Sequence, residues 1–358
     1  MSTSGLSPHG FDLSDPGWFL HDLDPSSGRA GFARTDRAAL SAAPFLDHQW
    51  REASAVDAVL PQLPAAGPDA PRLNFIWHTS FCASTLLAAC LDSPGRCLAL
   101  KEPRALVLLA DLKRAGHLAH APGLARSVFS LLGRRFDADE QVLIKPSNGA
   151  NTLIIEAAAQ TQGRMLLLHS DCESFVLSVA RKGQAGFAYV RDLFRALAAD
   201  GHPLTRWPVD DLIRLTDLQL SALVWRMQMD MLEVASQRLG ERARSLDCRV
   251  FLEDPDLVLP RIDDFLGLGI GAQELEQAAA GSLFSRDAKR PGQAYSARGR
   301  ADDQARLRAH LGADLAAAVR TMEAVFPNPP KLGNPLIAPS RAAFEGEGAP
   351  MREAAAAR

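Results

Sequence analysis

The sequence predicts an α/β protein built on a central, largely parallel sheet with an added helical segment. Two features carry that prediction. From Leu73 to Arg181, short apolar runs alternate with longer stretches of helical period, the pattern of right-handed βαβ units. The composition of the 358 residues is Ala-rich, with only 6% aromatic residues and 2 Tyr, which favours helix over a β-sandwich. Hydrophobic residues make up 47% and charged residues 23%, a balance that excludes a wholly disordered or collagen-like chain.

Residues 1–72 read as an N-terminal extension. Leu6 to Arg37 is rich in Gly, Ser, Pro and Asp and reads as irregular. Phe45, Leu46, Trp50, Val56 and Val59 roughly share a face, which predicts a short helix from Phe45 to Leu60. Pro61, Pro64, Pro68 and Pro71 then form a breaker-rich linker. The main domain is expected over 73–327. Its strands are Leu73 to Trp77, Arg96 to Leu100, Gln141 to Lys145, Arg164 to Leu168 and a last short one at Ser245 to Asp247. Helical patterns follow the first four, at Ser84 to Leu91, Ala105 to Ala115, Asn151 to Gln160 and Asp171 to Arg181. The region 186–240 is nearly all helix, and Trp207 to Leu239 reads as one long helix whose Met227, Met229 and Met231 are packing residues. Helices are expected at Pro255 to Leu266, Gln273 to Leu283 and Ala301 to Val325, with a basic, Gly-containing loop at Arg286 to Arg300. The tail 328–358 reads as disordered, its Ala, Glu, Gly and Pro content being clearest from Ala338 onward. No internal repeat is present.

Charge narrows the function classes. Asp and Glu total 42 against 39 Lys and Arg, for a net charge of -3, so nothing favours nucleic acid as a partner. The cysteines Cys82, Cys90, Cys97, Cys172 and Cys248 are odd in number and form no C-x-x-C pair, so neither a disulfide framework nor a metal site is expected. The first residues lack the basic start and apolar run of a signal peptide, and no apolar stretch reaches the ~18 residues of a membrane span. A cytoplasmic location follows as the expectation. Oligomeric state is not legible.

Ligands of open parallel sheets bind at the carboxyl ends of the strands. The turn after the first predicted strand reads His78-Thr79-Ser80-Phe81-Cys82-Ala83-Ser84-Thr85. A loop of small residues with a Ser-Thr pair opening a helix suits an anion cradle, in which N–H groups and hydroxyls donate to the anion. It equally suits an ordinary βα turn with Ser84 as the N-cap. G-x-x-x-x-G-K-[ST] is absent, which disfavours an ATP or GTP phosphate loop.

The run from Phe75 to Leu87 resembles, without a gap, the 5′-phosphosulfate loop of the P-loop sulfotransferase superfamily, roughly F-[IV]-x-G-x-P-[RK]-S-G-[ST]-T-x-L. Further likenesses follow in the order of that family's divergent bacterial branch. They are Lys101-Glu102-Pro103, Val142 to Pro146, Ser170 to Ser178 in the slot of the 3′-phosphate segment, Leu246-Asp247, Glu253-Asp254-Pro255 and Phe265 to Leu268. The resemblance spans about Leu73 to Phe326.

It implies the three-layer fold of P-loop-containing nucleoside triphosphate hydrolases and transfer of a sulfuryl group from 3′-phosphoadenosine 5′-phosphosulfate to a hydroxyl or amine acceptor. The acceptor is a small molecule, glycan or lipid, held by the helical region 186–240 as pocket or lid. The donor falls to Ser80, Phe81, Cys82, Ala83, Ser84 and Thr85, to His169, Ser170 and Ser178, and to Lys289, Arg290 and Arg298 of the basic loop. No metal is implied. Departures from the pattern are equally plain. Phe81 stands where the family has a base, Ala83 where it has glycine, and Ser170 and Glu173 where it has arginines.

Sulfuryl transfer needs a base for the acceptor and positive charge at the leaving phosphate. Lys145 is kept, but Pro146-Ser147-Asn148 supplies no histidine, leaving Glu102 and His78 as the nearest groups for the base. Glu102 reads equally as an acid favoured by a helix N-terminus, and Lys145 with Glu102 as a plain salt bridge. A catalytically degenerate domain that acts as a binding protein is the alternative.

Overall fold

The computed structural model describes residues 11–24, 29–53, 56–60, 63, 69–121, 123–287, 290–294 and 297–337. The first strands lie in the extension: β1 (Trp18–Leu23), β2 (Ala30–Arg34) and β3 (Val56–Leu60) form an antiparallel sheet in that order. The main sheet holds β4 (Asn74–His78), β5 (Cys97–Lys101), β6 (Gln141–Lys145), β7 (Met165–His169) and β8 (Ala243–Asp247). Its order is β5-β6-β4-β7-β8, with every pairing parallel. This is the expected α/β arrangement, a central parallel sheet with helices on both faces.

The apolar runs become strands because both faces of the sheet are covered. Phe75, Trp77, Leu98, Leu100, Val142, Ile144, Met165 and Leu167 enter one core, beneath the helices Arg104–Arg114, Leu124–Leu132 and Ile154–Gln160. Ile76, Cys97, Ala99, Leu143, Leu166 and Leu168 enter the other, beneath Ser84–Cys90, Pro255–Leu266 and Ala272–Ala280. The alternation follows from the two-residue period of a strand. A third apolar cluster joins the helices Cys172–Arg181, Gln184–Ala199, Asp217–Leu239 and Ala297–Val325, and takes in Met227 and Met229.

Five expectations change. The stretch expected to be irregular holds β1 and β2: Phe19, Leu20 and Phe32 are buried in the same core as Phe75 and Phe129. Their short apolar runs are stabilised by that distant face rather than by local periodicity. The helix predicted over Phe45 to Leu60 is confined to His48–Ala53, and β3 replaces its second half. Side chains tie the extension to the sheet. Arg37 donates to Glu140 at 2.6 Å, to Asp92 at 3.1 Å and to the Cys97 carbonyl at 2.8 Å, and Arg134 donates to the carbonyls of Leu13 at 2.6 Å and Asp15 at 2.9 Å.

The long helix is two, Val209–Ile213 and Asp217–Leu239. Thr216 caps the second: its hydroxyl accepts from the Gln219 N–H at 3.2 Å, and the Gln219 side chain accepts from the Thr216 N–H at 2.9 Å. The expected basic loop holds a short antiparallel pair, β9 (Arg286–Asp287) and β10 (Arg290–Ala294), and the last helix starts at Ala297.

The tail begins later than expected. Asn334 and Leu336 bond to Ser245 of β8, with Ser245 N–H donating to the Asn334 carbonyl at 3.1 Å and Leu336 N–H to the Ser245 carbonyl at 2.8 Å. Residues 338–358 lie outside the described residues. Among the described residues, no helix is long and apolar enough to cross a membrane.

Candidate functional site

β4 lies between β6 and β7, so the connections leaving it and its neighbours diverge to opposite sides. The crevice at such a switch point, outside the carboxyl ends, is where open α/β sheets bind ligands. Here it receives the loop after β4, the end of β6 and the end of β7.

The loop is strained. Ser80, Phe81 and Ala83 have φ of 62°, 52° and 59°, and Ala83 is the left-handed residue that opens the helix Ser84–Cys90 without any side-chain cap. Non-glycine residues in this region cost about 1–3 kcal/mol each and cluster at ligand clamps. The ordinary turn capped by Ser84 is therefore not what forms. The hydroxyls of Thr79, Thr85 and Ser170 are buried without a hydrogen-bond partner, although buried polar groups are almost always paired. Thr79 and Thr85 belong to the loop and helix after β4, and Ser170 directly follows β7, the strand paired with β4. Ser84 is buried in the same turn, and Cys82 is fully buried.

Phe81 is not a cation's stand-in on the surface. Its ring packs edge-on against Phe175 and Tyr189, each at 5.6 Å between centroids. Glu173 pairs with Arg308, and Arg181 lies 3.6 Å from Asp303. Ser178 is buried on the helix Cys172–Arg181. His169 ends β7 in register with Asp247 of β8, and burial holds its pKa below the ordinary 6.5 against the pull of Asp247 and Asp171. Lys289 lies outside the described residues, and Arg290 and Arg298 are located only by backbone, in β10 and the last helix.

The catalytic candidates do meet. Lys145 is 1% exposed at the end of β6, and its Nζ donates to Glu102 Oε1 at 2.5 Å. Glu102 follows β5 with φ of 55°, and its N–H donates to the Lys145 carbonyl at 2.7 Å. It precedes the helix Arg104–Arg114, which has no acid in its first turn, so the ion pair and not a helix terminus engages its carboxylate. Lys145 Nζ is 3.3 Å from His78 Nε2. His78 Nδ1 accepts from the Ser80 N–H at 3.0 Å, which places the ring proton on Nε2, where it donates to the Pro146 carbonyl at 2.9 Å. Both nitrogens are thus engaged, and His78 braces the loop rather than offering a base. Lys101 lies across from Lys145 in the β5–β6 register and donates to the Ser41 carbonyl at 2.6 Å. Burial, and then the Lys145 charge, lower its pKa.

Four polar residues of the site escaped sequence reasoning. Tyr189 O–H donates to Asn148 Oδ1 at 2.6 Å, and Asn148 Nδ2 donates to Gln228 Oε1 at 2.7 Å. Asn151 Nδ2 donates to the His78 carbonyl at 3.0 Å. The one available signal was Gln228, a neutral polar residue inside the apolar stretch Met227 to Met229. Among the described residues, no group of three or more His, Cys, Asp or Glu side chains is placed to hold a metal.

No family model and no curated protein matches this chain. Among solved structures, the chain is similar to the sulfotransferase domain from the curacin biosynthetic pathway, at 14% identity and a TM-score of 0.41, over 68% of this chain and 98% of that one. It is also similar to a sulfotransferase from Alicyclobacillus acidocaldarius, at 14% identity and a TM-score of 0.38, over 73% of this chain and 98% of that one.

Proposed function

We propose that this chain is a sulfotransferase-like protein that takes 3′-phosphoadenosine 5′-phosphosulfate and passes its sulfuryl group to a hydroxyl or amine acceptor. The observation that carries the reading is the set of buried, unpartnered hydroxyls of Thr79, Thr85 and Ser170 around a strained loop at the switch point. Hydroxyls and loop N–H groups are the donor set an anion recruits. The donor, when bound, supplies an activated sulfuryl group on a phosphate leaving group.

The residues fit that donor by hydroxyls more than by charge. Thr79, Ser80, Ser84 and Thr85 would hold its 5′ end and Ser170 its 3′ end. Lys145 brings the buried positive charge. Glu102 brings a carboxylate whose side chain is 22% exposed, and that open face is where an acceptor proton would go. Lys145 also keeps that carboxylate in place.

A second reading has its own observation. Lys145 is already neutralised by Glu102, and Phe81 fills an aromatic cluster where a cation would help an anion. These favour a binding protein without transfer.

Calorimetric titration with adenosine 3′,5′-bisphosphate, followed by transfer of labelled sulfur to a panel of alcohols and amines, tests both. Binding with transfer supports the enzyme. Binding without transfer supports the second reading. No heat at millimolar nucleotide sinks both.

A further inference from the structure

A one-way chain of buried hydrogen bonds runs beside the strained loop, from the helix Gln184–Ala199 through the segment after β6 to the helix Asp217–Leu239. Tyr189, on the helix Gln184–Ala199, donates to Asn148; Asn148 donates to Gln228; and Gln228 Nε2 donates to the Val224 carbonyl at 3.3 Å. Each link has one orientation. Tyr189 has a single proton, and it is committed to Asn148. Gln228 and Asn148 are 0% and 4% exposed, so neither trades its partner for water. The Tyr189 ring sits at 80° to that of Phe81, and the Ser80 hydroxyl lies beside its phenol. Asn148 follows Lys145 by three residues, within the segment that also sends Asn151 to the His78 carbonyl.

We propose that Tyr189 is a positioning residue for the strained loop 79–83, holding Ser80 and Phe81 in their left-handed conformations through the chain to Asn148 and Gln228. The physical need is plain. Three left-handed non-glycine residues in one loop persist only where the surroundings over-determine them. The Ser80 N–H on His78 is one restraint; the Tyr189 ring against Phe81, with its phenol beside the Ser80 hydroxyl, is the second, and the bond to Asn148 holds that ring in place. A buried phenol is suited to this task. Burial raises its pKa, so it stays neutral and its O–H keeps donating to Asn148. The consequence for ligand binding rests on the donor reading above, while the consequence for the loop does not.

The test is Tyr189→Phe, which keeps the ring and removes the hydroxyl, on the full chain. Arg242→Met is the control, because Arg242 donates to the carbonyls of Ala158, Thr161 and Gly163, at the amino end of the sheet. Both variants are expected to melt earlier. Amide hydrogen exchange of residues 79–83 is expected to rise about tenfold in Tyr189→Phe and to stay unchanged in Arg242→Met, the scale of a lost buried hydrogen bond. Affinity for adenosine 3′,5′-bisphosphate is expected to fall by a similar factor in Tyr189→Phe alone. Loop exchange that is the same in Tyr189→Phe and wild type overturns the proposal, whether or not nucleotide binds. A loosened loop in a protein that binds no nucleotide supports the positioning role and overturns the donor reading instead. Should Tyr189→Phe not fold, Gln228→Met removes the acceptor of the Asn148 amide and breaks the same chain from its far end, and the same exchange readout decides.

Discussion

Lys145 and Glu102 face each other across the carboxyl ends of neighbouring strands, 2.5 Å apart, with the lysine 1% exposed and the glutamate 22%. The asymmetry fixes their roles. The lysine has no route to water, so its charge is answered by Glu102 or by a ligand. The glutamate keeps one side open. An anion arriving at the loop adds a second negative partner for Lys145 and weakens its hold on Glu102. Lys145→Ala is therefore expected to reduce affinity for adenosine 3′,5′-bisphosphate by about tenfold or more in calorimetry, since charge-assisted contacts are roughly twice as strong as neutral ones. Unchanged affinity would place the nucleotide elsewhere.

Glu102→Gln separates the two functional readings. It keeps the shape and a hydrogen bond to Lys145 but removes the proton acceptor. Nucleotide affinity is expected to hold or improve, while transfer to an alcohol falls by about two orders of magnitude, the usual contribution of a general base. Transfer at the wild-type rate would remove Glu102 from the chemistry.

His169 gives the fold a pH dependence of definite sign. Burial holds its pKa below the unfolded value of 6.5. The unfolded chain therefore binds more protons than the folded one as pH falls through this range. The stabilisation is fully present above the unfolded pKa and is lost toward acid. Urea unfolding of wild type and His169→Asn, compared between about pH 5 and about pH 8, is expected to show a shallower loss of stability in the variant.

Gly163 is required by close approach. A Cβ at this position would lie 1.7 Å from the Leu73 carbonyl oxygen and 2.9 Å from the Asn74 nitrogen, both backbone atoms at the start of β4. Neither can move without breaking the β4–β7 pairing. Gly163→Ala is expected to cost at least about 3 kcal/mol by urea denaturation, at the severe end for a single substitution.

The parallel strands were legible because each is an apolar run that stands out against its flanks. β6 occupies the residues predicted for it, Gln141 to Lys145, and β5 and β7 are offset by one residue. The loop's position was legible for the same reason. Its strain was not, because nothing in Ser80, Phe81 or Ala83 as residue types announces a left-handed backbone. The Lys145–Glu102 pair was anticipated from position alone. Tyr189 and Gln228 were hidden by distance: they lie 41 and 80 residues from Asn148, so no spacing rule links them. The first two strands were hidden by energetics. Trp18 to Leu20 and Phe32 are short apolar clusters among turn-forming residues, and what makes them strands is a sheet face built far later in the sequence.

That shared core has a consequence during synthesis. Phe19, Leu20 and Phe32 are translated well before Phe129, Met165, Leu232 and Ala243, yet they belong to the same cluster. Much of the chain must be translated before these partners exist. That apolar surface thus waits for partners made much later, and contacts of such long sequence separation form slowly. The nascent chain, rather than the finished molecule, is the form most open to aggregation and most in need of a holding chaperone.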